Sequence, residues 1–274
     1  MKNKIFDLTG KTALISGGAG LLGCEFCKAL ASTGAHVIIV DIDEKSIESA
    51  TKKISDAVPE AHITKEIIDI TQTKSIDNGL QNVLKKCNMI DVLVNSAAID
   101  PKFEKGSDIS HHTKFTEFPL KQWEESIHVN LTGTFLLTQR VCKIMEKVGV
   151  GSIINIGSNY GLVGPDQRIY KKTFTTVQSF KPSVYSVCKA GLIGFTKYLA
   201  AYYAGTKIRV NMLTPSGVFN DHDKEFEKKY SARTILRRMS QKNEYAGAII
   251  FLASDASSYM TGGNLVIDGG WTAI

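Results

Sequence analysis

Two hydrophobic patterns take turns along the 274-residue chain. Short unbroken apolar runs, rich in β-branched residues, are followed by longer stretches whose apolar positions recur every three or four residues. The first pattern predicts strands at 11–16, 36–41, 62–70, 90–98, 151–158, 207–215 and 264–270. The second predicts helices over 20–33, 43–57, 73–87, 120–148, 183–204 and 243–254. Strands that are apolar on both faces and separated by helices imply a parallel sheet covered on both sides. No Pro/Ser-rich linker, repeat or low-complexity tract divides the chain, so residues 1–274 read as one α/β domain. Two stretches, 99–119 and 165–182, are long loops on this scaffold, and loops of such length usually serve function. Both leave from the carboxyl ends of strands, where open parallel sheets bind their ligands.

Composition narrows the class. Apolar residues make up 43% of the chain and charged residues 22%, an ordinary balance for a globular protein. No apolar run approaches the roughly 18 residues of a membrane helix. The start, MKNKIFDLTGK, lacks the apolar stretch of a secretory signal, so a cytoplasmic enzyme is expected. The five cysteines are scattered and odd in number, which fits a reducing compartment. Cys24 and Cys27 have redox-motif spacing but fall inside a predicted helix, where cysteine acts as a small hydrophobe.

The net charge of +6 is moderate, and no aromatic-interleaved basic stripe suggests a nucleic-acid surface. Its distribution is uneven. Residues 165–182 carry four Lys/Arg against one Asp, and residues 223–239 carry six against three acids.

The segment ISGGAGLLG follows the first strand and opens the first helix. Gly17, Gly20 and Gly23 permit a tight turn and close approach of backbone to a pyrophosphate, while the helix start supplies free N–H groups. Asp41 ends the second strand, 24 residues after Gly17. An acid there can accept both ribose hydroxyls of an adenosine and would repel a 2′-phosphate, which favours NAD over NADP. The same side chain can also cap the next helix. Asp69, ending the third strand, is a weaker candidate for the adenine. Asn95, Ala97 and their neighbours in NSAA end the fourth strand with small side chains, against which a flat ligand can lie.

The chemical signal is VYSVCKAG, in which Tyr185 and Lys189 stand four apart and share a helix face. A nearby ammonium favours tyrosinate and should lower the phenol pKa toward working pH, making Tyr185 a proton donor or acceptor. Ser158, 27 residues earlier, ends a strand at the same sheet edge.

With these residues, together with Asn130 in HVNLTG, the run VNMLTPSGV and the tail FLASD…YMTGGNLVIDGGW, the chain resembles the compact branch of the short-chain dehydrogenase/reductase family along nearly its whole length. The resemblance implies a Rossmann-like, doubly wound, seven-stranded parallel sheet and a catalytic tetrad. Tyr185 would be the general acid/base, Ser158 would hold the substrate oxygen, Lys189 would bind the nicotinamide ribose and tune Tyr185, and Asn130 would keep a relay water. Pro215 to Val218, with Gly217, would wrap the carboxamide, and Leu22 and Ile70 join the cofactor contacts. NAD is the implied cofactor, and a homotetramer or dimer assembled through 120–148 and 183–204 the implied state. Within the branch the chain is similar to bacterial sugar-modifying members, grouped with flagellin modification and gluconate dehydrogenation.

Three departures from the family pattern stand out. The compact branch places a glycine at position 21, whereas this chain has Leu21 and a glycine one place earlier, as in the extended branch. Ser158 and Tyr185 lie further apart than in the family, marking 165–182 as an insertion. Ser216 interrupts the usual Pro-Gly.

The reaction expected is reversible interconversion of a secondary alcohol and a ketone. The two basic stretches suggest a polar or anionic sugar-type substrate, with Arg168, Lys171, Lys172, Arg233, Arg237 and Arg238 as candidate contacts; a plain solvated basic surface is the competing reading. His111-His112 lacks the ligand cluster a metal needs, so no metal is expected. Two alternatives remain open: an epimerase or dehydratase with tightly bound NAD, and a non-catalytic dinucleotide sensor on the same fold.

Overall fold

Strands with no polar face must be covered twice, and a computed structural model describing residues 4–100, 113–173 and 178–274 shows how. Strands β1 (Thr12–Ser16), β2 (His36–Asp41), β3 (Ile63–Ile67), β4 (Val92–Asn95), β5 (Val150–Ile156), β6 (Lys207–Pro215) and β7 (Asn264–Ile267) form one seven-stranded sheet. Its order is β3-β2-β1-β4-β5-β6-β7, and all six pairings are parallel. The chain runs outward from β1 to β3, then returns to build the other half from β4. The reversal between β1 and β4 opens a crevice at the carboxyl ends of the strands.

The helices are α1 (Leu21–Ser32), α2 (Glu44–Ala57), α3 (Thr73–Leu84), α4 (Leu120–Ile127), α5 (Thr134–Glu146), α6 (Ser183–Tyr202), α7 (Lys224–Arg233) and α8 (Ala246–Ala253). Two cores result. One packs α1, α2 and α8 on the sheet through Phe26, Leu30, Ile47, Ile54, Ile249 and Leu252; the other packs α3, α5 and α6 through Ile76, Val83, Leu137, Val141 and Met145. Cys24 and Cys27 belong to the first of these, as free and buried thiols, and burial pushes both up.

The sequence reading differs from the fold in two places that bear on the site. The predicted helix over 120–148 is interrupted by a π-helical turn, His128–Gly133, between α4 and α5. Inside it, Asn130 turns its side chain out to the loop after β4, and Gly133 passes so close to Ile70 that a Cβ there would lie 2.8 Å from Ile70 Cγ1. Such wide turns inserted in α-helices recur at functional sites. The second difference is α7, which lies within the charged stretch 223–239. Its only buried residue is Tyr230, so hydrophobic periodicity gives it no signal. Asp223 starts it by accepting the Glu225 and Phe226 amides at 2.9 and 3.3 Å, a side-chain cap of the usual kind.

Candidate active site

The crevice is a cleft of about 680 Å³ running along the ends of β1, β2, β4, β5 and β6, within the size range of small-molecule and cofactor sites. Its floor at one end is backbone. Gly17 takes a left-handed φ of +64°, and a Cβ there would lie 2.7 Å from Ala97 Cα. Gly23, one turn into α1, would place a Cβ 2.0 Å from the Gly17 carbonyl oxygen. Gly20 donates its N–H to that carbonyl at 3.0 Å and caps α1 without a side chain. The helix start is therefore bare, the condition for holding a phosphate. Leu21 begins α1 with its side chain 42% exposed on the cleft rim, so the chain keeps its turn without the glycine that the compact pattern has at this position.

Asp41 borders the cleft at the end of β2. One carboxylate oxygen accepts the Ala19 amide at 3.2 Å and the other accepts the Ile42 amide at 2.8 Å. The helix-capping role falls instead to Asp43, whose carboxylate accepts the Ser46 amide. Asp69 and Ile70 line the same end; Asp69 accepts from the Thr71 amide and hydroxyl at 2.9 and 2.6 Å. Leu22, Ala97, Pro215, Gly217 and Val218 also border the cleft.

Asn95 does not. It is buried below the cleft, donating to Thr138 Oγ1 at 2.9 Å and Asn155 Oδ1 at 2.8 Å, while Asn155 donates to Thr196. A short strand leaves only alternate side chains on the ligand side, and Asn95 points into the polar chain joining β4 to the helices behind it. The residues of this segment that border the cleft are Ser96, Ala97 and Ala98.

Ser158, Tyr185 and Lys189 meet in the middle of the cleft. β5 ends at Ile156 and delivers Ser158; α6 starts after Pro182 and presents Tyr185 and Lys189 one turn apart. The Lys189 ammonium donates to the Ile156 carbonyl at 2.8 Å and lies 5.8 Å from the Tyr185 ring centre. Burial depresses Lys189 to about 8. Burial also pushes the Tyr185 phenol above its ordinary value; the Asp100 carboxylate adds to this, and a hydrogen bond with Ser158 opposes it. That is opposite to the direction expected from Lys189 alone, because taking the phenolate out of water dominates.

Asn130 is not on the cleft wall. Its carboxamide brackets one residue of the loop after β4, accepting from the Ile99 amide at 2.8 Å and donating to the Ile99 carbonyl at 2.9 Å. That contact fixes the neighbouring Asp100, which does border the cleft.

The far end of the cleft is walled by aromatic residues that the sequence reading passed over: Tyr160, Tyr170, Phe226 and Tyr230. The Tyr230 hydroxyl accepts from the Gly217 amide at 2.6 Å and from Asn159 Nδ2 at 3.3 Å, and its ring packs 4.4 Å from Trp271. A Cβ on residue 217 would strike that ring at 2.4 Å, which explains glycine there.

None of the six basic residues expected to contact substrate is among the described residues bordering the cleft. Arg168 and Arg233 both pair with Asp166, Arg238 forms a two-armed pair with Glu244, Arg237 bonds the Ala232 carbonyl, and Lys171 and Lys172 are exposed. Among the described residues that border the cleft, Lys181, at the end of the insertion, is the lysine besides Lys189. A signal for it was present: Lys181, Tyr185 and Lys189 stand at successive four-residue steps. His111 and His112 lie outside the described residues. Among the described residues no cluster of three or more His, Cys, Asp or Glu could hold a metal, and no helix is long and apolar enough to cross a membrane.

This arrangement has counterparts. A family model described as enoyl-(acyl carrier protein) reductase matches residues 19–272. A D-threitol dehydrogenase of Mycolicibacterium smegmatis is 31% identical over 272 residues, covering 97% of this chain and 95% of that one. A post-translational flagellin modification protein A of Campylobacter coli is 29% identical over 264 residues, covering 96% and 99%. Among solved structures, a short-chain dehydrogenase from Leptospira borgpetersenii with bound NAD+ is 34% identical with a TM-score of 0.80, covering 99% and 96%. The chain belongs to the short-chain dehydrogenase/reductase family. It is an oxidoreductase of that family, and its relatives include alcohol and sugar dehydrogenases as well as 3-oxoacyl-(acyl-carrier-protein) reductases of Thermotoga maritima and Aquifex aeolicus, 33% and 31% identical over 268 residues and covering 96% of this chain and 98% of each.

Proposed function

We propose that this protein is an NAD-dependent enzyme that interconverts a secondary alcohol and a ketone on a polar, sugar-type substrate. The observation that carries the reading is that Ser158, Tyr185 and Lys189 border the same cleft as the glycine turn and Asp41.

The residues fit a dinucleotide. Gly17 and Gly23 leave a cradle that any Cβ would fill, the bare start of α1 suits a pyrophosphate, and a carboxylate at Asp41 suits a free ribose diol and disfavours a 2′-phosphate. When bound, the nicotinamide supplies the hydride acceptor or donor. Ser158 orients the substrate oxygen by hydrogen bonding. Tyr185 takes the carbinol proton in oxidation and returns it in reduction. Lys189, anchored on the Ile156 carbonyl, holds positive charge beside the phenol and stabilises its ionised form during transfer. Asn130 acts one step back, by holding the loop that carries Asp100.

The relative acting on threitol and the neutral, aromatic far wall support a hydroxylated substrate. The exposed Phe135, Val187, Tyr198 and Tyr202 on α5 and α6 support assembly of copies through those helices. The function is tested by following reduced-cofactor formation with a panel of polyols and simple secondary alcohols, supplied with NAD or NADP. Turnover with NAD, and weaker turnover with NADP, is the expected result; absence of turnover in the presence of tight NAD binding would favour the sensor reading.

A further inference from the structure

The insertion before α6 ends in an ion pair set against the catalytic phenol. Lys181 Nζ lies 2.5 and 2.6 Å from the two carboxylate oxygens of Asp100 and 4.2 Å from the centre of the Tyr185 ring. Its side chain is 11% exposed, that of Asp100 39%. The pair is held from behind. Gln167 accepts from the Lys181 amide at 2.8 Å and donates to its carbonyl at 3.1 Å, so one side chain clamps the residue's backbone on both sides. Asn130 clamps Ile99, next to Asp100, in the same two-armed way. Two separate loops are thus fixed so that a donor and an acceptor meet beside the reacting position.

We propose, resting on the reading above, that Lys181 and Asp100 form a recognition pair for the hydroxyl adjacent to the reacting carbinol, which makes a neutral vicinal diol or polyol the substrate class. A hydroxyl can give its proton to the carboxylate and accept from the ammonium, entering the pair without breaking it. An anionic group cannot, because Asp100 already neutralises the ammonium and repels a second negative charge at short range. The remaining wall agrees. Tyr160, Tyr170, Phe226 and Tyr230 offer flat faces suited to the C–H edges of a polyol or sugar ring, and beside them Asn220 and His222, the latter stacked 5.3 Å from Phe226, add groups able to hydrogen-bond further hydroxyls.

The test uses the protein with NAD and three matched substrates: butane-2,3-diol, butan-2-ol and 3-hydroxybutyrate. The wild type should prefer the diol to the mono-alcohol by tenfold or more in kcat/KM and should use the carboxylate least. Lys181→Met and Asp100→Asn should each cut the diol/mono-alcohol ratio by tenfold or more, and Lys181→Arg should recover part of it. Calorimetric titration of the diol into the protein–NADH complex reads the same pair independently of turnover: affinity should fall tenfold or more in both variants while NADH affinity is kept. The proposal is overturned if the ratio survives as both rates fall together, if diol affinity is unchanged, or if the carboxylate is the best substrate. Failure of the function reading looks different, since the wild type would then oxidise none of the three while the titration still reports whether the pair holds a diol.

Discussion

At the glycine-turn end of the cleft, the end proposed for the cofactor, the walls are main chain, shaped by Gly17, Gly20 and Gly23 and trimmed by Ala97 and Ala98 within a stretch of contiguous strands and turns. At the opposite end they are large side chains from the turn after β5, the insertion and α7, where Tyr160, Tyr170, Phe226 and Tyr230 line the cleft and Trp271 packs behind Tyr160 and Tyr230. The first kind of surface tolerates almost no change, because added atoms meet backbone. The second can be rebuilt by substituting side chains, which suits a constant cofactor and a variable substrate.

The sharpest way to break this contrast is at Asp41. Asp41→Ala removes the carboxylate proposed to accept the ribose hydroxyls, and hydrogen bonds to a charged group contribute about 1.5–3 kcal/mol. NAD affinity should fall roughly 10- to 100-fold, and the preference over NADP should narrow, with diol selectivity unaffected. Cofactor titration by intrinsic fluorescence checks it; a loss of diol selectivity with NAD affinity intact would mean the two ends are not separable.

Tyr230 tests the seam between the ends, since it belongs to α7 yet accepts the amide of Gly217, one of the residues proposed to contact the cofactor. Tyr230→Phe leaves that amide without its partner, costing on the order of 1–3 kcal/mol. KM for both cofactor and alcohol should rise, whereas Phe226→Ala should move the alcohol KM alone. An unchanged cofactor KM in Tyr230→Phe would argue that α7 plays no part in cofactor binding.

A further test concerns pH. Lys189 is held near 8 in the fold against 10.5 for the free side chain, so between those values the unfolded chain binds the proton more tightly. Stability therefore carries the full penalty below about pH 8 and regains it as pH rises toward 10.5. Compared with Lys189→Met, the wild type should gain on the order of 3 kcal/mol of unfolding free energy across that window, read by denaturant melts at several pH values. A difference that is flat with pH would mean the lysine is hydrated in the fold.

The glycine-turn end of the cleft was legible in the sequence for a physical reason. Backbone surfaces demand specific small residues at fixed spacings, so Gly17, Gly23, Asp41 and Ala97 announce themselves locally. Tyr185 and Lys189 were legible because one helix carries both. Asn95 misled because strand alternation, not motif membership, decides which side chains reach the ligand. Lys181 with Asp100, and Tyr230 with Gly217, are pairs distant in sequence that only tertiary contact joins. The basic stretches misled because most of their charges are spent on neighbours, as Arg168 on Asp166 and Arg238 on Glu244.

Transfer of label is the most direct measure of the central claim, that Tyr185, Ser158 and Lys189 act on an alcohol beside a nicotinamide. A polyol deuterated at its carbinol carbon, incubated with NAD and the wild-type protein, should yield deuterium on the nicotinamide ring, and Tyr185→Phe should slow this by roughly 10²- to 10⁴-fold with NAD binding retained. Deuterium transfer at an undiminished rate in Tyr185→Phe, or none in the wild type with any alcohol, would contradict the account.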